Sequence, residues 1–481
     1  MESPQEQVKE RQERVISGLS AMGICIASTI GSGIFTVTGV IGPELVTTSN
    51  LMIGWIVGGL VAICGGLAVA ELAAMRPQAS AQYVVVHEAL GPSFGYLKGM
   101  ITLLIGYVSA LAAVAMIAGS YIQNLIPALE PRVTATVLLL ILGSIQAITV
   151  LGGQRFNDLL VAFKVTLVVA FIVVGFILMG EPLLPSAELI AAAKATDPGS
   201  VLATIPNGAS AQEVDAHLRS ATGPAAFSGV MGLAIISISF AYLGWSTAAE
   251  VAGEIRRPGR NLPLAIIGSV FLIGILYLLM NVVYTSAIPP TAMIELDSNG
   301  ELEPMADIGS VVATHILGEK GGMLVTGAIV FLMISTLSTG LMTGGRTIAA
   351  MSWRGELPAR TGELNRNGAP TIAIVSMLVL TIPIVWNSTI ASLFEYVGLL
   401  TTIAMMLAMI SVIVMRFRYP ALPRPFKVPL YPLPPLVSLG IGGWLVSSAI
   451  LENWVPVLVT GLTILAIMGL RPVLTSGMKS I

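Results

Sequence analysis

Apolar residues run along this chain in long blocks, without the strict alternation of a half-buried strand or the narrow stripe of an amphipathic helix. Bounded by charges and by Pro/Gly clusters, the blocks predict helical spans near 15–42, 51–74, 95–126, 133–151, 157–180, 226–254, 262–284, 321–352, 371–387, 391–415, 434–451 and 455–470. Twelve spans of about 20 residues take up about half the length and leave mostly short connections. Two connections are longer, about 181–225 and 285–320, and patterns such as SAELIAAAKA from Ser186 read as short helices. They suit lids or lid supports better than separate domains. A composition of 55% apolar and 10% charged residues over 481 positions excludes a soluble multidomain enzyme. The polar start from Met1 to Arg14 precedes an apolar run too long for the core of a signal peptide, so it reads as an uncleaved first span.

Charge changes the picture through its placement. The net charge of −2 gives no field for nucleic acid or for an anionic membrane surface. Nineteen of the 24 basic residues fall in one set of alternate connections and tails, while Arg132, Lys194, Arg219 and Lys320 make up the opposite set. Lysine and arginine gather in cytoplasmic loops, so both termini are expected in the cytoplasm of a multi-pass protein of the cell membrane, inner or plasma. The remaining cation, Lys164, sits inside the fifth span. Cys25 and Cys64 lie in apolar runs and read as packing residues. His87, His217 and His315 are isolated, and no metal spacing, nucleotide loop, catalytic triad or cofactor signature is present. Gly54 and Gly58, with Gly65 and Gly66, form a small-residue stripe for close helix packing.

Two spans are poor helices at their centres. The first reads ICIASTIGSGIFTVTG, with Ser28, Thr29, Gly31, Ser32 and Gly33 where lipid favours leucine. The sixth reads SISFAYLGWSTAAEVAGE, with Ser237, Ser239, Gly244, Ser246 and Thr247 at mid-span. Backbone leaves a helix at membrane depth only where protein or a water-filled cavity satisfies it. Interrupted segments at corresponding places in two halves therefore point to a binding site. N–H groups of Ser32 and Gly33 at the start of a second half-helix suit a carboxylate, and carbonyls near Thr29 suit an ammonium group.

Four local patterns, in order along the chain, resemble the amino acid/polyamine/organocation superfamily. They are GSGIF at 31–35; FAYLGW at 240–245 running into RRPGRNLP at 256–263; WRGELP at 353–358 with NGAP at 367–370; and RPFKVPLYP at 424–432. One departure is PQASAQY at 77–83, where relatives carry a Gly pair, which leaves the cytoplasmic gate near this loop open to question. The resemblance implies an all-α membrane protein of the LeuT-type fold. After a tail at 1–14, helices one to five (15–180) and six to ten (226–415) would be inverted repeats separated by the external loop 181–225. Two peripheral helices follow within 416–481.

The same resemblance implies amino acid transport. It casts Lys164 as the stand-in for a sodium ion near the carbonyls of Ala27 and Ile30, with hydroxyls of Ser335 or Ser338 as further partners. Independently of the resemblance, a lysine about 10 Å into a helix reads either as snorkelling to the interface or as a buried charge. Phe240 would cover the substrate, the carbonyls of Phe240 and Leu243 would help hold its amino group, and Tyr242 and Trp245 are weaker candidates for the pocket. Neither broken span carries a charged side chain between residues 15 and 43 or between 220 and 249, which favours a neutral amino acid over a polyamine. Glu250 and Glu254 with Arg256 and Arg257 read either as a gate or as solvated interface charge. A secondary transporter of small neutral L-amino acids is thus expected, sodium-independent and either proton-coupled or exchanging; the nearest rival is a polyamine or organic-cation transporter of the same fold, followed by a non-transporting sensor and an integral-membrane enzyme, and oligomeric state is not legible.

Overall fold

A computed structural model describes residues 14, 16–77, 81–148, 154–296 and 300–475. Lys9, Arg11 and Lys479 of the tails, and residues 78–80 of the PQASAQY loop, lie outside the described residues. The described residues are mostly helical: α1 (Gly18–Thr29), α2 (Gly33–Leu45), α3 (Thr48–Met75), α4 (Ala81–Leu90), α5 (Pro92–Leu125), α6 (Pro131–Ile148), α7 (Gln154–Leu178), α8 (Ala187–Thr196), α9 (Ala211–Ser220), α10 (Gly229–Ala241), α11 (Thr247–Glu250) and α12 (Pro258–Ala287). A two-stranded hairpin, β1 (Ile294–Leu296) and β2 (Leu302–Pro304), precedes α13 (Ile308–Trp353), α14 (Thr371–Asn387), α15 (Ile390–Arg418), α16 (Leu433–Glu452) and α17 (Trp454–Thr475). Local chemistry starts several of these helices. The hydroxyls of Ser17, Thr47 and Ser228 accept main-chain N–H bonds of 3.1, 3.1 and 3.2 Å at the heads of α1, α3 and α10.

Among the described residues, eight helices are long and apolar enough to cross a membrane, and nine when α1 and α2, bent by 43° across a short break, count as one. Three shorter apolar helices are Ala162–Leu178, α10 and α14. Helices pack in two groups. In one, α12 lies along α1 and α3, and α10 along α2 and α3; in the other, α5, α6, α13 and α14 pack on one another. Helix α7 touches α1, α12 and α13, and α15 joins α10 to α3 and α5. The outer faces carry bare apolar side chains such as Leu462, 57% exposed, and Leu465, 68% exposed, which suit hydrocarbon.

The structure adds three features to the pattern of blocks. Helix α5 contains a π-helical turn at Leu104–Ser109 beside α13 and α14. The segment read as the external loop 285–320 holds the hairpin and the first part of α13, which bends at Gly318 (φ 71°, ψ 174°). The second half of the sixth span is short: α11 has four residues before a 3₁₀ turn at Ala252–Glu254.

Candidate functional site

The two interruptions cross each other. In the first, α1 ends at Thr29, Ile30 turns out of the helix (φ −71°, ψ 97°), and α2 restarts at Gly33. The N–H groups of Ser32, Gly33 and Ile34 meet no acceptor among the described residues, whereas Phe35 N–H donates to the Ser32 carbonyl at 3.0 Å. Ser32 is 1% exposed and its Oγ lacks a hydrogen-bond partner. A helix start with open N–H groups and a buried idle hydroxyl is a ready anion seat. In the second, α10 ends at Ala241 and Gly244 takes a left-handed φ of 103°. The Thr247 N–H and hydroxyl both donate to the Gly244 carbonyl, at 3.0 and 2.7 Å.

Glycine is required at both crossings. A Cβ on Gly33 would stand 2.5 Å from Ala241 Cα, and one on Gly244 would collide with the main chain of Ser28. Gly31 is different, since a Cβ there would find ordinary contact with Thr336 at 3.7 Å. One side chain joins the two breaks: the Tyr277 hydroxyl of α12 lies 3.1 Å from the Thr29 carbonyl and 3.1 Å from that of Ala241. A phenol has one proton, so it satisfies these carbonyls alternately. The Thr29 hydroxyl donates to Cys25 O at 2.8 Å within its own helix, so it is the carbonyl of Thr29 that faces the crossing.

Lys164 is 4% exposed and reaches across from α7 to the end of α1. Its Nζ donates to the Ala27 carbonyl at 2.9 Å and to Thr336 Oγ1 at 2.9 Å. Snorkelling is thereby corrected: the ammonium points into the protein. The hydroxyl it meets belongs to Thr336 in place of Ser335 or Ser338, because helical neighbours are rotated by about 100° per residue. Ser338 Oγ instead accepts from Gln146 Nε2 at 2.8 Å. No bond joins Lys164 to Ile30, whose N–H closes α1 on Ile26 O.

The aromatic expectations divide. Phe240 is buried with its ring 4.5 Å from that of Phe394 on α15, and the Phe240 carbonyl accepts from Leu243 N–H at 3.1 Å. Tyr242 packs among aromatic neighbours. Its ring forms a triad with those of Trp55 and Tyr277, which are themselves 5.5 Å apart, and its hydroxyl lies beside Gly59 and Gly274, between α3 and α12. Those glycines leave the room that the ring takes. The stripe in α3 does pack closely, with Gly58 against Ile238 of α10 and Gly65 against Met405 and Trp245.

Comparison with known proteins bears on this geometry. An amino acid permease family model matches residues 16–476. The chain belongs to the amino acid permease family. This is a family of membrane transporters within the amino acid/polyamine/organocation superfamily. The permease is 26% identical to the human large neutral amino acids transporter small subunit 2 over 87% of this chain and 72% of the relative. It is 24% identical to the serine/threonine exchanger SteT of Bacillus subtilis over 92% of each chain, and 23% identical to the mouse b(0,+)-type amino acid transporter 1 over 92% of this chain and 83% of the relative.

Sequence reading missed several residues that hold the candidate site in place. Tyr121 of α5 donates to the Phe35 carbonyl at 2.6 Å and accepts from Gly309 N–H at 3.1 Å, tying α2 to α5 and α13. Thr38 donates to Asn281 at 2.5 Å, and Asn281 in turn donates to the Tyr277 carbonyl at 2.7 Å. Uncharged and inside apolar runs, these residues give no sequence signal. Glu71 does give one, as an acid in the apolar run AVAELAAM. It is 1% exposed and accepts from Arg416 at 2.9 and 2.5 Å and from Val428 N–H at 2.7 Å, with Arg424 Nε 3.6 Å away. Arg424 also donates to the carbonyls of Met415, Tyr419, Pro420 and Leu422. The RPFKVPLYP motif is thus a clasp that locks the α15–α16 connection onto α3.

Of the charges at the end of the sixth span, Glu250 acts on Lys98 and on Arg354. Arg256 donates to the Arg14 carbonyl at 3.1 Å, and Ile16 pairs with Glu254 and Arg256 through main-chain bonds of 3.0 and 2.9 Å. The start of α1 is therefore joined to the segment after α11.

Proposed function

We propose that this permease carries small neutral L-amino acids across the cell membrane by alternating access, without sodium. The observation that carries the reading is the crossing of two interrupted helices, with open N–H groups at Ser32 and Gly33 and the Lys164 ammonium anchored on Ala27. The substrate carboxylate sits at the head of α2, where the helix dipole and open donors favour an anion. Its amino group turns to the carbonyls at the breaks, those of Thr29, Ala241 and Leu243. Tyr277 holds one of the first two at a time and leaves the other open.

Twelve spans underlie this reading, the three shorter apolar helices joining the nine others, with both termini cytoplasmic. Helix α10 is about 20 Å long at 1.5 Å per residue, and the break with α11 completes its crossing. The halves 15–180 and 226–415 each open on a broken helix, as inverted repeats do. The group of α1, α2, α3, α10 and α12 rocks against that of α5, α6, α13 and α14. Lys164, on α7 between them, supplies the positive charge that a sodium ion would otherwise bring. Coupling is to a proton or to a second amino acid. The likeness to a serine/threonine exchanger favours exchange and a small side chain.

Uptake into proteoliposomes tests this. Labelled neutral amino acids should enter at a rate independent of sodium and faster when the vesicles hold unlabelled substrate. A rate that rises with sodium at constant osmolarity and pH overturns the sodium-free reading, and equal uptake of an amine lacking the carboxylate overturns the amino acid reading.

A further inference from the structure

Helix α12 carries an apolar groove that runs down from its basic head. The groove has a volume of about 490 Å³, and its walls are Pro263, Leu264, Ile267, Gly268 and Phe271 of α12 with Ile63 of α3. Leu264 is 50% and Phe271 61% exposed, so among the described residues nothing closes over it. Gly268 forms part of the floor, where a Cβ would meet Met22 Sδ of α1 at 3.0 Å. Arg260 precedes Leu264, Ile267 and Phe271 by four, seven and eleven residues, a spacing that sets all four on one face of the helix. At 1.5 Å per residue the rise from Arg260 to Phe271 is about 16 Å, close to half of a hydrocarbon core of roughly 30 Å. The face therefore matches one leaflet, with a cation at headgroup level.

A second cation comes from the RPFKVPLYP loop. Pro425 lies on α12 at Gly259, where a Cβ would stand 2.6 Å from Pro425 Cβ, and Val428 N–H donates to Glu71 of α3 at 2.7 Å. The loop thus bridges the two helices that wall the groove, at their polar ends, and exposed Lys427 lies in the bridge. Exposed Arg257 stands one residue ahead of α12. Arg257, Arg260 and Lys427 form no ion pair and no side-chain hydrogen bond among the described residues, whereas Glu71 is already held by Arg416 and Arg424. Segment 416–432 carries four cations and no acid, and 254–260 carries three cations against Glu254. The whole chain has a net charge of −2, so this excess of positive charge is local to the head of the groove.

We propose that this groove holds one anionic glycerophospholipid, with its phosphate among Arg260, Lys427 and Arg257 and an acyl chain along Leu264, Ile267 and Phe271. Charge complementarity selects the occupant. A zwitterionic lipid brings a cation of its own to the arginines, and a free phosphate leaves the apolar face bare. Each lysine or arginine close to an anionic headgroup contributes about fivefold in affinity. That this leaflet is the cytoplasmic one rests on the proposed topology; the binding of the lipid does not.

Native mass spectrometry of the purified full-length protein tests this without requiring transport. Delipidated protein in detergent is titrated with phosphatidylglycerol or with phosphatidylcholine of the same acyl chains. Wild type should keep one phosphatidylglycerol at concentrations where phosphatidylcholine is lost, and the preference should shrink as ionic strength rises. Arg260→Gln should weaken phosphatidylglycerol about fivefold, and Arg260→Gln with Lys427→Gln about 25-fold, while phosphatidylcholine is unchanged. Arg260→Lys, which keeps the charge, should keep the affinity. Arg366→Gln removes an exposed cation of the NGAP loop, away from α12, and should alter neither lipid. Inorganic phosphate at millimolar concentration should not displace the bound lipid. Equal affinity for the two lipids, a loss with Arg366→Gln as large as with Arg260→Gln, or displacement by inorganic phosphate overturns the proposal and leaves the transport reading standing.

Discussion

A single methyl group at residue 33 tests whether the crossing of the breaks positions the anion seat. In Gly33→Ala the new Cβ would lie 2.5 Å from Ala241 Cα and 2.8 Å from Ala241 Cβ. Carbon atoms prefer about 3.5–4.0 Å, so α2 and α10 must part by about 1 Å at this point. The partner atom is main chain, so no rotamer change relieves the clash. Overpacking of this kind costs about 1–3 kcal/mol. The same displacement carries the N–H groups of Ser32 and Gly33 off the carboxylate, and a charge-assisted hydrogen bond is worth about 1.5–3 kcal/mol, or about one to two decades of affinity. Equilibrium binding of a labelled neutral amino acid to purified protein reads this, with a thermal melt confirming the fold. Gly31→Ala is the control within the same break, since its Cβ makes only ordinary contacts, with Thr336 at 3.7 Å and the Thr29 carbonyl at 4.0 Å, and affinity should stay within about threefold of wild type. Gly58→Ala, which presses on the Ile238 side chain at 2.6 Å, should lower stability more than affinity. If Gly33→Ala binds as wild type, or if Gly31→Ala loses as much, the crossing does not position the seat and the reasoning fails.

Lys164→Ala should reduce uptake far more than binding, because the charge acts on the balance between two states of α1; equal uptake by variant and wild type would remove the role given to Lys164. Tyr277→Phe keeps the ring contacts with Trp55 and Tyr242 but leaves the Thr29 and Ala241 carbonyls without their donor, and should lower stability by about 1–3 kcal/mol in a denaturation series. Glu71→Gln breaks a buried pair held by two arginines and should cost about 3–5 kcal/mol, read as a lower melting temperature and faster proteolysis of the α15–α16 connection. For the topology, a thiol at exposed Gln212 should react with an impermeant reagent in intact cells while one at exposed Arg260 is protected, and the reverse pattern inverts the orientation.

Much of the fold was legible in the chain because bilayer physics acts on composition. A span must be long and apolar, so blocks such as 51–74 and 262–284 coincide with α3 and α12 to within a few residues. A backbone that leaves the helix must do so at glycine and hydroxyl residues, so STIGSG and YLGWST marked both breaks. The family followed from short motifs spread along nearly the whole chain.

Contacts made across the fold were not legible, because residues distant in sequence become neighbours only when helices cross. Nothing local distinguishes Thr336 from Ser335 or Ser338 until α7 lies beside α13 and fixes which face meets Lys164. Tyr242 looks like a pocket aromatic by its place in the motif, yet missing side chains on α3 and α12 decide which way its ring turns. Gly31 and Gly33 are alike in the sequence, and only the approach of Ala241 separates a glycine with room to spare from one with none. Glu295, Glu303 and Asp307 read as ordinary loop acids. Strand pairing sets Glu295 opposite Glu303, and burial encloses Asp307 beside Asn124 of α5, because the chain between them folds back over α2.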